Sequence, residues 1–217
     1  ASTPKKAHKM NLQVHIAAAA HAGYAEEICS LLEISAQQRG TGIARRSPDY
    51  IRRKIESGNA IIALTGNGKL AGFCYIEIWS HGKYVANSGL VVAHEFRQNG
   101  LAKTIKRQAF DLARDKYPAA RVFGITTSLA VMKINSELGY KPVTFSELTQ
   151  DDDFWKGCQS CPNYDILQRC GHRMCLCTGM LAPSKIEEMG EEHGFSLVEM
   201  ILKNDDKNLQ APEAVAA

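Results

Sequence analysis

Five of the seven cysteines fall within one stretch of twenty residues, as Cys158-x-x-Cys161, Cys170 and Cys175-x-Cys177. A CxxC knuckle followed by a second close pair is the spacing of a thiolate metal site in a reducing compartment. The expected ligands of a Zn2+ ion are Cys158, Cys161, Cys175 and Cys177, with Cys170 or His172 in reserve. On a strand running from Arg173 to Leu181, Cys175 and Cys177 would point the same way, their Cα atoms about 7 Å apart. Four thiolates close a tetrahedral coordination sphere, which makes such a site structural rather than catalytic. A redox pair at Cys158 and Cys161, an open site for substrate, and unligated thiols are the alternatives. Cys29 and Cys74 lie in apolar runs and read as core.

A second chemical feature is the run Leu90-Val91-Val92-Ala93-His94-Glu95-Phe96-Arg97-Gln98-Asn99-Gly100-Leu101-Ala102. A buried-type strand ends, a short polar turn follows, and a helix begins at small residues. Backbone N–H groups at a helix start are unpaired and carry the positive end of the helix dipole. Gly100 and Ala102 would leave room for a pyrophosphate to approach them; a glycine serving turn geometry alone is the bland alternative. A third feature is basic: Arg39, Arg45, Arg46, Arg52 and Arg53 surround the loop Gly40-Thr41-Gly42. Arginine forks bind carboxylates in bidentate fashion. Arg52 and Arg53 read as a solvated helix face, which leaves Arg45 and Arg46 as the candidates for substrate binding.

The elements that must position these groups follow from periodicity. Apolar residues at helical spacing predict a helix over residues 22–38, and Ser47-Pro48 caps a second helix over 48–57. Gly66-Asn67-Gly68-Lys69 between two apolar runs predicts a hairpin of strands 60–64 and 71–79. A third strand covers 84–92, a helix starting at Leu101 is stopped by Tyr117-Pro118, a strand covers 122–127, and a helix over 129–138 ends at Gly139. Segments 141–145 and 173–181 could pair as late strands around the cysteine-bearing insertion. The apolar run Phe195–Leu202 has no predicted place. The order predicts an α/β (α+β) domain around a mixed sheet. It divides as a tail at 1–10, a core at 11–150, an insertion and late strand at 151–183, and a C-terminal extension at 184–217 with a disordered end.

Composition excludes several classes. In 217 residues, 45% are hydrophobic and 23% charged, which is globular rather than fibrous or disordered. Lys plus Arg number 26 against 23 Asp plus Glu, a net charge of +3, so a dedicated nucleic-acid binder is not expected. No run is long and apolar enough to span a membrane. No export signal is recognisable, and the expected location is cytoplasmic.

Arg97-x-x-Gly100-x-Ala102 after an apolar strand resembles the acyl-CoA-binding motif of the GNAT superfamily of N-acyltransferases. The element ending Glu137-Leu138-Gly139-Tyr140 resembles that family's next motif, and element order agrees over about residues 11–145. The resemblance implies a GNAT-like sheet with two splayed central strands and pantetheine lying between them. It implies that the amides of Gln98, Asn99, Gly100, Leu101, Ala102 and Lys103 hold the pyrophosphate of acetyl-CoA, with Arg97 in the same loop. The Val92 amide would then help bind the thioester carbonyl. The implied reaction is direct attack of an amine on the thioester. The family's usual acid, a tyrosine in the late helix, is replaced here by Asn135, which could hydrogen-bond the sulfur. Glu77, in the mostly apolar run Cys74–Trp79, is the candidate base if burial raises its pKa; strand alternation pointing it to solvent is the alternative. His81 and His94 are further candidates, as is water.

In the family, the loop between the first two helices walls the acceptor site. With Arg45 and Arg46 there, the expected acceptor is a small acidic amine, L-glutamate first. The step Ile125-Thr126-Thr127 is similar to that of amino-acid acetyltransferases of arginine biosynthesis, and the whole resembles small bacterial GNAT proteins assigned to N-acetylglutamate formation. Alternatives are transfer of succinyl or another acyl group, a protein amine as acceptor, a CoA-binding scaffold without turnover, or a zinc-ribbon binding module. Homodimerisation is a family habit.

Overall fold

The computed structural model describes residues 11–39 and 44–193. Its elements in chain order are β1 (Leu12–Ile16), α1 (Ala25–Arg39), α2 (Pro48–Glu56), β2 (Ala60–Thr65), β3 (Leu70–Trp79), β4 (Tyr84–Val92), α3 (Leu101–Lys116), β5 (Arg121–Thr126), α4 (Leu129–Glu137), β6 (Lys141–Val143), α5 (Asp152–Lys156), α6 (Tyr164–Arg169), β7 (Thr178–Ala182) and α7 (Lys185–His193). Local chemistry sets their ends. The Ser47 hydroxyl accepts from the Tyr50 amide at the start of α2, and Ser128 accepts from Val131 at the start of α4. Residues 65–69 close the β2–β3 hairpin through Thr65 N–H to Lys69 C=O at 2.9 Å.

Seven strands form one sheet in the order β1-β2-β3-β4-β5-β7-β6. The first four pair antiparallel, β4 and β5 pair parallel, and β7 pairs antiparallel with both β5 and β6. Strand alternation divides the core. Ile61 and Ala63 face α3 with Ile105, Ala109 and Phe110, whereas Ala60 and Ile62 face α1 and α2 with Ile28, Leu32, Ile51 and Ile55. A third cluster lies under the insertion, where Trp155 and Leu167 pack on Phe123, Phe145 and Leu148.

The feature that positions the site is a divergence in mid-sheet. Strands β4 and β5 pair only at Tyr84–Arg121, Val85–Val122 and Ala86–Phe123. Beyond Ala86, β4 leaves β5, which stays paired with β7 out to Thr126. A bulge drives this departure: Cys74 of β3 stands opposite two β4 residues, Gly89 and Leu90. Gly89 takes φ +68°, and a Cβ there would lie 2.5 Å from Cε1 of Tyr75.

The structure departs from expectation at three places. Strand β1 was not anticipated, because LQVHI is short and alternates with polar residues on a half-buried edge. Strand β7 starts at Thr178, so Cys175 and Cys177 sit in the turn before it rather than on a strand. The insertion carries two short helices, and β7 returns from it into the interior of the sheet. The run Phe195–Leu202 lies outside the described residues.

Candidate active site

The turn after β4 forms an open cradle of amides. No backbone N–H from Gln98 to Ala102 has a partner among the described residues. The Lys103 and Thr104 amides both return to the Gly100 carbonyl, at 3.0 and 3.1 Å, which leaves five of the six expected amides available. Gln98 and Gly100 lie in the left-handed region, φ +66° and +75°, turning successive amides outward. Gly100 caps α3 with no side chain over the helix start, and a Cβ there would meet nothing within 4 Å. Such a cradle suits a pyrophosphate. The Arg97 side chain serves the loop's shape instead. Its Nε donates to the Val92 carbonyl at 3.0 Å, and its terminal nitrogens reach Gln38 and Ser35. Ala93 donates to Ala71 across β3, so pleat alternation turns the Val92 amide to the opposite edge, where β5 has departed.

A cavity of about 140 Å³ opens in the divergence between β4 and β5, with Asn87, Gly89, Gly124, Thr126 and Asn135 on its walls. Asn135 comes from α4 and is 1% exposed. Its amide donates toward Sδ of Met180 at 3.5 Å, and its Oδ1 has no hydrogen-bond partner among the described residues.

Arg46 lines the cavity on the side of the insertion. Its Nε donates to the Tyr75 hydroxyl at 2.9 Å, and Nη1 donates to the carbonyls of Arg45 and Gly157 at 2.9 and 3.1 Å. The guanidinium also lies 5.5 Å from the Tyr50 ring centroid. All of these partners are formally neutral. Arg45 is exposed, paired with Glu33 at 3.4 Å, and its backbone amide donates to Ser160 of the insertion. A second hollow of about 520 Å³ runs between α1 and the insertion, and Arg46 lines both spaces.

Glu77 stands outside the cavity lining, with both carboxylate oxygens engaged. It accepts from the Tyr50 hydroxyl at 2.6 Å and pairs with Lys54. Burial and the neighbouring Tyr75 push the Tyr50 phenol far above its ordinary range, so it stays a donor. His81 and His94 lie in exposed turns.

The insertion cysteines form no disulfide. Burial, with neighbouring Cys161 and Cys175, raises the Cys158 thiol to about 11. Burial, with Cys175, Cys161 and Cys158 nearby, raises Cys177 to about 12. The four expected ligands thus sense one another, yet among the described residues no group of three or more His, Cys, Asp or Glu is arranged to hold a metal ion. Cys158, Cys161 and Cys177 also reach the cavity wall. His172 stacks on Trp155 at 5.9 Å.

Sequence reasoning did not anticipate Tyr75, Asn87 or Lys106 at the cavity. Their signal was faint: an aromatic, an amide and a lysine within otherwise apolar faces.

A sheet split between β4 and β5, with an amide cradle at the head of α3, defines a fold able to take a pyrophosphate-bearing ligand along the split. Residues 27–132 match the model of the acetyltransferase (GNAT) family, and the chain has the fold of that family's solved structures. Three solved structures illustrate the likeness. N-acetylglutamate synthase from Neisseria gonorrhoeae, complexed with coenzyme A and N-acetyl-glutamate, is 17% identical with TM-score 0.58, covering 83% of this chain and 36% of that one. Rv2747 from Mycobacterium tuberculosis, in complex with CoA, is 14% identical with TM-score 0.55, covering 79% and 98%. A phosphinothricin acetyltransferase from Sinorhizobium meliloti, in complex with AcCoA, is 15% identical with TM-score 0.54, covering 81% and 89%. The chain thus spans about a third of the length of the synthase. At these identities the likeness is one of fold. A search of curated proteins found no match. Among the described residues, no helix is long and apolar enough to cross a membrane.

Proposed function

We propose that the chain moves an acetyl group from acetyl-CoA to the amine of a small acidic acceptor, with L-glutamate as the first candidate. One observation carries this reading: Arg46, half-buried at the cavity, gives its hydrogen bonds among the described residues only to neutral oxygens. A buried cation without an anion is costly, and an acceptor carboxylate would relieve that cost. Arg45 at the rim adds a second fork.

In this reading the amides of Gln98 to Ala102 hold the pyrophosphate, and acetyl-CoA supplies the activated thioester. The Val92 amide polarises the acyl carbonyl. Asn135 offers its amide near the sulfur. Glu77, both oxygens engaged, positions the wall through Tyr50, while the amine's proton leaves to water.

The test is thiol release from acetyl-CoA and succinyl-CoA against L-glutamate, neutral amino acids and a lysine peptide. Glutamate-dependent release supports the reading. Release with the peptide or a neutral amine alone discards the acidic acceptor, and CoA binding without release with any acceptor supports a scaffold.

For the insertion we propose a structural Zn2+ held by Cys158, Cys161, Cys175 and Cys177, because Cys158 and Cys177 lie close enough to Cys161 and Cys175 to feel them. Metal analysis of protein purified without chelator is expected to find one zinc per chain. Loss of that zinc in Cys161→Ser supports the assignment; metal-free, folded protein refutes it.

A further inference from the structure

Beneath the divergence of β4 and β5, on the α3 side, lies a buried polar cluster that neither the cradle nor the acceptor wall uses. Lys106, in the second turn of α3, is 2% exposed and lines the cavity. It makes no ion pair among the described residues. Its Nζ lies 5.5 Å from the Tyr140 ring centroid, beside the Cys74 thiol, and 3.8 Å from where a Cβ on Gly124 would stand.

The other groups facing it carry no negative charge near neutral pH. Burial raises the Cys74 thiol of β3 to about 11, and it raises the Tyr140 phenol, after α4, far above its usual range. Arg46 and the thiols of Cys158, Cys161 and Cys177 lie across the cavity. Among the described residues Asn135 Oδ1 has no hydrogen-bond partner, and Asn87 Nδ2 and the Tyr140 hydroxyl have none but each other. Burial lowers the Lys106 pKa to about 8, so the group is charged at neutral pH yet able to give up a proton. An ammonium buried without a counter-ion is destabilising and calls for a use.

We propose that Lys106 is the general acid of acyl transfer, delivering a proton to the sulfur of coenzyme A as the carbon–sulfur bond breaks, with Asn87 and Asn135 as flanking dipoles. The inference rests on the acetyl-CoA reading above. The acceptor nitrogen attacks the thioester carbon and a C–N bond forms. The C–S bonding pair passes to sulfur, and sulfur takes the Lys106 proton to become the thiol. The new amide nitrogen sheds its extra proton to water, and Lys106 regains one from water. Lys106 thereby takes up the task that the absent tyrosine at position 135 leaves open.

The decisive measurement is the ionisation of bound CoA, read by ultraviolet thiolate absorbance beside calorimetric CoA binding. Wild-type protein is expected to raise the thiolate fraction of bound CoA at least about tenfold over free CoA at pH 7.5, by placing a cation beside the sulfur. Lys106→Met returns the fraction to the free value and lowers kcat on the order of 100-fold, with loss of the alkaline limb of its pH profile. Lys106→Arg keeps the charge, so it retains the thiolate signal while losing kcat. Bound CoA with an unshifted thiol, or Lys106→Met with wild-type kcat, overturns the assignment. Wild-type protein that binds no CoA overturns the acetyltransferase reading itself.

Discussion

Replacing Gly89 with alanine tests whether the bulge in β4 holds the site open. The backbone at 89 has φ +68°, where an L side chain costs roughly 1–2 kcal/mol. The new Cβ would fall 2.5 and 2.8 Å from Cε1 and Cδ1 of Tyr75, against ordinary contact near about 3.5 Å. That ring must retreat by roughly 1 Å, but Tyr75 is 2% exposed and its hydroxyl accepts from Arg46 at 2.9 Å. Overpacking of this kind costs about 1–3 kcal/mol, and a strained charge-assisted hydrogen bond adds about 1 kcal/mol. The sum is about 4 kcal/mol, or a fall in Tm of ~10 °C for a chain of this size. Urea and thermal melts would measure it for Gly89→Ala, Tyr75→Leu and the double variant. With the ring gone, Gly89→Ala should cost only ~1–2 kcal/mol, a coupling of ~2–3 kcal/mol. An equal cost in both backgrounds, or a Gly89→Ala Tm within about 2 °C of wild type, would refute the account of how the strands are held apart.

Other consequences can be checked separately. Arg46→Met should raise KM for an acidic acceptor ~100-fold, from two charge-assisted hydrogen bonds lost, while KM for acetyl-CoA stays put; steady-state kinetics with acidic and neutral acceptors reads it, and an equal loss for both would count against a carboxylate partner. Gly100→Val forces a β-branched residue to φ +75° at the cradle, so calorimetry should show CoA binding at least about tenfold weaker. Lys106 also leaves a pH signature in ligand-free protein. Its folded pKa of about 8 lies below the free-lysine value of 10.5, so the unfolded chain binds more protons between them and stability rises with pH across that window. Compared with Lys106→Met, wild type should gain ~3 kcal/mol between pH 8 and 10.5, measured by denaturant melts.

The amide cradle was legible in the sequence because its determinants are local. Gly100 follows a strand and opens a helix, and helix-start chemistry needs nothing distant. The β2–β3 hairpin and α2 were legible for the same reason, through Asn67-Gly68 and Ser47-Pro48. What could not be read was the meeting of remote segments. Gly157 and Ser160 hydrogen-bond to Arg46 and Arg45, more than a hundred residues away in the chain, and no periodicity records that contact. Lys106 was hidden for a related reason. On α3 it follows Ile105 and reads as an outward lysine, but the parting of two distant strands opens the cavity into which it turns. Glu77 lay in a strand whose partners, Tyr50 and Lys54, come from α2, so alternation alone could not tell engagement from exposure.

The two halves of the site draw on separate stretches of chain. The cradle belongs to residues 92–102, whereas the acceptor wall is shared by 44–46 and the insertion at 154–177. In the proposed reading, changes within 154–177 are expected to shift which amine is admitted more than they shift affinity for the coenzyme's pyrophosphate, because the amide turn at 98–102 is built from a separate stretch of chain.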